Sequence, residues 1–216
     1  MVDLRVYALL DPAQRGGRDL GELARLIGGA ATLVQLRDKH GTTRAMVEEA
    51  KAIKAALPHV PLLINDRVDI AIAARANGVH VGWDDMEAAD ARRLLGKNAI
   101  IGLSLKTVAQ ASAAPLEHLD YVAIGGVFAT RSKDNPDAPV GLAGLREIAA
   151  IVRHRAPRIP IAAIAGIDAS NAADVIAAGA DGVAVISALS LAPDPKAAAQ
   201  ELQAIVDRAL AKRGAA

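Results

Sequence analysis

Short aliphatic runs alternate along this chain with stretches in which apolar residues return every three or four positions. The runs fall at 5–10, 32–37, 61–65, 78–82, 99–104, 120–126, 159–166 and 182–187. Pro61-Leu62-Leu63-Ile64, with no polar residue alternating, predicts a strand covered on both faces, and the other runs read as strands beside it. Helical spacing predicts helices over 19–27, 42–56, 68–76, 86–95, 107–114, 142–156, 171–178 and 194–212. Gly28-Gly29, Asn77-Gly78 and Gly179 stand where helix ends need turn residues, and the Asn-Gly pair predicts a cap with positive φ. A strand followed by a helix thus recurs about every 25 residues as a structural repeat. Eight such units predict an α/β fold, a single (β/α)8 TIM barrel with residues 1–216 as one domain. A doubly wound open sheet is the alternative, and the absence of GxGxxG after the first strand disfavours it.

Composition narrows the function. With 52% apolar residues in 216 the chain can bury one large core. A net charge of +1 and 2% aromatics exclude a nucleic-acid surface, which needs a basic face or stacking platforms. There is no cysteine, hence no disulfide, thiolate nucleophile or zinc-cysteine site. The five histidines lack HxH or HxxxH spacing, so a metal would sit on carboxylate oxygen, which points to Mg²⁺ rather than zinc. The first residues lack a basic stretch leading into an apolar core and no run is long enough to span a bilayer, so a cytoplasmic protein without membrane contact is expected. Whether it works alone or as a homo-oligomer is left open by these features.

The candidate chemistry sits where the aliphatic runs stop. Pro61-Leu62-Leu63-Ile64 ends at Asn65-Asp66-Arg67, on the carboxyl-end rim where parallel strands place ligands. The rival reading is that Asn65-Asp66 caps the next helix. Gln35, Arg37 and Lys39 alternate, and on an extended backbone they project to one side, either as a binding edge for an anion or as a solvated strand end. The fourth run ends in Trp83-Asp84-Asp85, so Asp66 and Asp85 stand at adjacent strand ends and could share a cation, although Asp-Asp also suits a helix N-terminus. Ser104 ends the fifth run. The longest loop, 127–136, carries Thr130, Ser132 and two cations, one of them Lys133. Gly166 and the Ile186-Ser187 pair occupy the loops after strands seven and eight, where barrels commonly cradle phosphate. Two anion sites facing across one mouth suggest a reaction between two phosphorylated small molecules.

Six segments together resemble the thiamine-phosphate synthase family: Gln35-Leu36-Arg37-Asp38-Lys39, Leu63-Ile64-Asn65-Asp66-Arg67, Gly78-Val79-His80-Val81-Gly82 with Asp84-Asp85, Thr130-Arg131-Ser132-Lys133, Pro139-Val140-Gly141-Leu142, and 179–187. The resemblance implies a TIM-barrel transferase that joins hydroxymethylpyrimidine diphosphate to a thiazole phosphate, releasing diphosphate. By position it implies that Gln35, Arg37, Lys39, Asn65, Ser104 and Lys133 hold the pyrimidine diphosphate, with Ser104 and Lys133 as the catalytic pair. Asp66 and Asp85 would hold Mg²⁺, and Thr130, Ser132, Gly166, Ile186 and Ser187 the thiazole phosphate. The chain departs from the family pattern at Trp83, Lys106, Gly125-Gly126 and Ser132, where glutamine, histidine, Gly-Pro and threonine are usual. Of these Trp83 weighs most, because an indole beside Asp85 is expected either to repack the rim or to narrow the pyrimidine pocket. The rival activities are a thiazole tautomerase, which needs no diphosphate clamp, and a non-catalytic phosphate-binding barrel.

Overall fold

A computed structural model describes residues 1–130 and 138–215. Eight strands, β1 (Val6–Leu10), β2 (Leu33–Leu36), β3 (Leu62–Asn65), β4 (Gly78–Val81), β5 (Ile100–Leu105), β6 (Tyr121–Ile124), β7 (Ile161–Ile164) and β8 (Gly182–Val185), pair in sequence order and close into a barrel. All eight ladders are parallel, β1 returning to β8 through Val6, Tyr7 and Ala8. Helices α1 (Leu20–Ile27), α2 (Thr43–Ala56), α3 (Val68–Ala74), α4 (Ala88–Leu95), α5 (Val108–Ala113), α6 (Gly141–Arg155), α7 (Ala172–Ala177), α8 (Ser187–Ser190) and α9 (Pro195–Gly214) run between the strands and close the chain. This is the predicted (β/α)8 barrel.

The apolar core is split by the strands into two parts. Outward residues such as Val34, Leu36, Ile64, Val79 and Ile101 pack against the helices in a continuous annulus. Inward residues, among them Leu4, Tyr7, Leu33, Leu63 and Tyr121, fill the barrel's lower interior. Because both faces are covered, each strand needs side chains that dislike water on either side, which is why a run such as Leu62-Leu63-Ile64 lacks alternation. Full burial of each Leu, Ile or Val contributes about 1.5–3 kcal/mol relative to exposure.

The amino-terminal end of the barrel is stitched by a repeated device. Thr32 Oγ1 accepts from Val6 N–H at 3.1 Å, Asn77 Oδ1 from Leu62 N–H at 3.0 Å, Asp120 Oδ2 from Ile101 N–H at 2.8 Å and Asp181 Oδ2 from Ile161 N–H at 2.9 Å. In each case the same two residues also bond the other way, backbone N–H to backbone carbonyl, at 2.6–2.9 Å. The residue leading into each even strand therefore satisfies an end amide of the odd strand before it, a group the ladder alone leaves open. Arginines lock two of the stitches: Arg92 donates to Asp120 at 2.6 Å, while Arg153 and Arg213 both bind Asp181.

Three expectations are corrected. Asn77-Gly78 is not a positive-φ cap; the left-handed turn after α3 is taken by Arg75 (φ 52°), and Asn77 is spent on the stitch to Leu62. β2 ends at Leu36, so Arg37 and Lys39 leave from a loop rather than continuing an extended edge. The run predicted to reach 187 stops at Val185, and Ser187 opens the short helix α8, which helical spacing did not predict. No helix among the described residues is long and apolar enough to cross a membrane.

Candidate active site

The carboxyl ends of the strands open on a cavity of about 410 Å³. One arc is polar: Gln35 of β2, Arg37 just beyond it, Asn65 of β3, His80 of β4 and Ser104 of β5 all line it. The opposite arc is built from small side chains and backbone, with Ala123, Thr130, Gly166, Ala184, Ile186 and Ser187 on its wall. Of the residues expected from the sequence, eight therefore meet at one mouth: Gln35, Arg37, Asn65, Ser104, Thr130, Gly166, Ile186 and Ser187. Ser132 and Lys133 lie outside the described residues.

Arg37 is held by a residue that sequence reasoning did not place in the site. Asp11, 4% exposed at the end of β1, takes Arg37 Nη1 on one oxygen and the Ala13 N–H on the other at 2.9 Å. The carboxylate thus caps a turn and aims a guanidinium, which keeps the fork pre-organised rather than free to rotate. Arg67 goes elsewhere: its fork grips Asp69 at 2.6 and 2.9 Å, facing the helices rather than the mouth.

Asp66 and Asp85 are not helix caps. The cap of α3 is Arg67 and that of α4 is Glu87, neither with a side-chain capping bond. Asp66 instead sits in the left-handed region at φ 61°, which aspartate tolerates better than most residues. Its Oδ2 accepts from Asn65 Nδ2 at 2.7 Å and from the Lys39 ammonium. Asp85 Oδ2 accepts from the Gly82 N–H at 2.7 Å. Burial holds the Asp66 carboxyl above the usual carboxylate range; Lys39 pulls it back, and the facing Asp85 carboxyl pushes it up again. Two carboxylates within reach of each other are an arrangement that a cation would relieve. Among the described residues no third His, Asp or Glu joins them to complete a protein-only cage. Such a pair fits Mg²⁺, which takes one or two carboxylates and fills its octahedron with water and substrate oxygens, and does not fit a four-ligand zinc site. Lys39 stands outside the cavity wall, on Asp66.

Trp83 does not enter the cavity. It is 43% exposed and absent from the cavity wall. Lys106 is likewise off the wall; its backbone N–H bonds Gln110 Oε1 at 2.7 Å.

The small-residue arc is shaped by backbone. Ala165 and Gly166 both have positive φ (94° and 65°), and a Cβ on Gly166 would lie 2.5 Å from the Ala129 carbonyl oxygen. A left-handed alanine is strained, and such strain gathers where loops line sites. After β8 the chain turns at Ile186 directly into α8, so Ser187 opens a short helix at the mouth.

Along the floor of the cavity runs a polar chain of which sequence reasoning found only the two ends, Gln35 and Ser104. His80 bonds Ser104 Oγ through Nε2 at 2.8 Å and Tyr121 O–H through Nδ1 at 2.7 Å. Tyr121 and Tyr7 share a hydroxyl bond of 2.8 Å, and Gln35 Nε2 donates to Tyr7. Gly102 makes room for it. In register it lies between His80 and Tyr121, and a Cβ there would be 2.0 Å from the Tyr121 ring. Over that gap the two rings stack with centroids 5.5 Å apart. The available sequence signal was a histidine and two tyrosines inside otherwise aliphatic strands.

The family model described as thiamine monophosphate synthase matches residues 6–189. The thiamine-phosphate synthase of Agrobacterium fabrum is 49% identical over 215 residues, covering 98% of each chain. That of Chloroflexus aurantiacus is 47% identical, covering 95% of this chain and 94% of the other. Among solved structures, a thiamine phosphate pyrophosphorylase from Pyrococcus furiosus superimposes with a TM-score of 0.82 at 34% identity, covering 97% and 98%. A 3-hexulose-6-phosphate synthase, at 19% identity and a TM-score of 0.64, shares the fold.

Proposed function

Because the chain belongs to the thiamine monophosphate synthase family, a family of transferases, we propose that it condenses 4-amino-2-methyl-5-hydroxymethylpyrimidine diphosphate with a thiazole phosphate. The products are thiamine phosphate and diphosphate. The observation that carries the reading is the apposition of Asp66 and Asp85, with Lys39 on Asp66, just outside a cavity whose polar wall carries Arg37 and whose opposite wall carries Gly166 and Ser187. One arc suits a highly charged diphosphate and the other a monophosphate.

Arg37, braced by Asp11, presents its guanidinium to diphosphate oxygens, and Ser104 donates a hydroxyl beside it. Asn65 orients the Asp66 carboxylate, and Lys39 joins the diphosphate end by moving from Asp66. Asp66 and Asp85 would hold Mg²⁺, which supplies neutralisation of the charge gathering on the leaving group. The bond between the pyrimidine methylene carbon and the diphosphate oxygen breaks with its electron pair leaving on diphosphate. The thiazole nitrogen lone pair then closes the new C–N bond. Gly166, Ile186 and Ser187, with Thr130 and the Ser132 of the following segment, grip the thiazole phosphate so that its nitrogen faces that carbon. Lys133 adds a cation on the diphosphate. Charged donors fixed before the reaction stabilise the departing anion without reorganising, and that is where most of the rate is expected to arise.

The test is formation of thiamine phosphate from the two phosphorylated substrates with and without Mg²⁺. Product that requires both substrates and is lost on chelation supports the reading. A protein that forms none with Mg²⁺ present overturns it.

A further inference from the structure

The five-residue chain under the cavity has a property that none of its bonds shows singly. Gln35 is buried in the cavity wall, its Nε2 donates to Tyr7, and its Oε1 is a buried atom without a hydrogen-bond partner. If the amide nitrogen faces Tyr7, the Tyr7 oxygen is an acceptor there and its own hydrogen must go to Tyr121. Tyr121 then donates to His80 Nδ1. A neutral imidazole that accepts at one nitrogen donates at the other, so Nε2–H points to Ser104 Oγ and the Ser104 hydrogen is left for the cavity. The two ends are thereby opposite: an acceptor at Gln35 and a donor at Ser104. Turning the Gln35 amide over reverses every bond and gives a donor at Gln35 and an acceptor at Ser104. Mixed states leave two donors or two acceptors facing each other inside the barrel, where an unmade bond costs about 1–3 kcal/mol.

We propose that His80, Tyr121 and Tyr7 are positioning residues that couple Ser104 to Gln35, so that a phosphate oxygen on Ser104 fixes Gln35 as a carbonyl acceptor for an exocyclic amine. The proposal rests on the reading of the cavity as an aminopyrimidine diphosphate site. A phosphate oxygen without a proton can only accept, so it selects the polarity in which Ser104 donates. The relay carries that choice to Gln35. The pyrimidine with a 4-amino group then finds an acceptor, whereas its 4-oxo counterpart sets a carbonyl against a carbonyl. The specificity for the amine is thus set from the diphosphate end, across the relay.

Tyr121→Phe removes one hydroxyl of the relay and leaves the cavity wall intact, and Tyr7→Phe cuts it one bond nearer to Gln35. The measured quantity is the ratio of kcat/KM for the 4-amino over the 4-oxo pyrimidine diphosphate. Wild type is expected to prefer the amine, and each variant to lose at least about tenfold of that preference, since an unpaired buried group is what gives such sites their discrimination. The second readout is the ¹⁵N spectrum of the His80 ring, assigned with His80→Gln and recorded with diphosphate bound. Wild type is expected to show the Nε2–H tautomer alone, and Tyr121→Phe a mixture. A preference and a tautomer both unchanged in the folded variants would overturn the relay. If Tyr121→Phe fails to fold, Tyr7→Phe decides by the same two readouts. Loss of the functional reading looks different: wild type would make no thiamine phosphate from either pyrimidine, while the tautomer would still report on the relay.

Discussion

The two ends of this barrel handle polar groups in opposite ways. At the amino-terminal end Thr32, Asn77, Asp120 and Asp181 each close on a backbone amide of the neighbouring strand, and arginines close on two of them. At the carboxyl-terminal end Gln35 keeps an oxygen unpaired, Asp66 faces Asp85, and Asp66 and Ala165 hold left-handed backbone. One end spends its hydrogen-bonding capacity on the fold, and the other withholds it for a ligand. Stability and function thus compete for the same kinds of residue, and the barrel separates them by the length of a strand.

The same substitution at both ends should break the symmetry. Asp66→Asn is expected to cut kcat by about 10²–10³-fold, as loss of one preorganised electrostatic contact does. Asparagine accepts the φ of 61°, so Tm should fall by no more than about 2 °C. A turnover within twofold of wild type would remove Asp66 from the site. Asp11→Asn sits between the extremes. It retains the turn cap but gives up the charge facing Arg37, so KM for the pyrimidine diphosphate should rise about tenfold with kcat little changed. An unchanged KM would mean that Arg37 needs no brace. Asp181→Asn is expected to do the reverse of Asp66→Asn. Loss of the pairing with Arg153 and Arg213 costs about 2 kcal/mol, or about 4–8 °C in Tm, with kcat unaltered. A catalytic defect there would end the division of labour.

The smallest signal tests the interior between the two ends. Burial pushes both tyrosine hydroxyls above their ordinary value. A group whose folded pKa is raised stabilises the fold fully below its unfolded value near 10, and that contribution is lost as pH rises through the folded value. Tyr7 and Tyr121 are the chain's two tyrosines. Absorbance at 295 nm should therefore stay flat to about pH 11 and rise only with cooperative unfolding. A gradual rise from about pH 9.5 would show that water reaches the relay.

Much of the site was legible because it lies where aliphatic runs end. A residue such as Asn65 or Ser104 interrupts hydrocarbon at a strand end, and in a parallel barrel every such end faces one mouth. The capping alternative for Asn65-Asp66 was equally legible, and the structure decides against it because the N-cap of α3 falls one residue later, at Arg67. Asp11 was hidden because Asp-Pro after a strand reads as a turn, which it also is. The stitches were hidden because threonine, asparagine and aspartate perform the same task, so no repeated letter marks them.

Local patterns in the sequence determined the eight strands, the helices between them and the arc of polar rim residues, since burial on both faces and helical spacing act within a few neighbours. Only the closed barrel decided which residues meet inside it. Tyr7 and Tyr121 are 114 positions apart, and Gly102 has meaning only as the gap between two rings from flanking strands. Hydrogen bonds are short and directional, so partners that are distant in the chain become partners only once register and closure fix their positions to within an ångström.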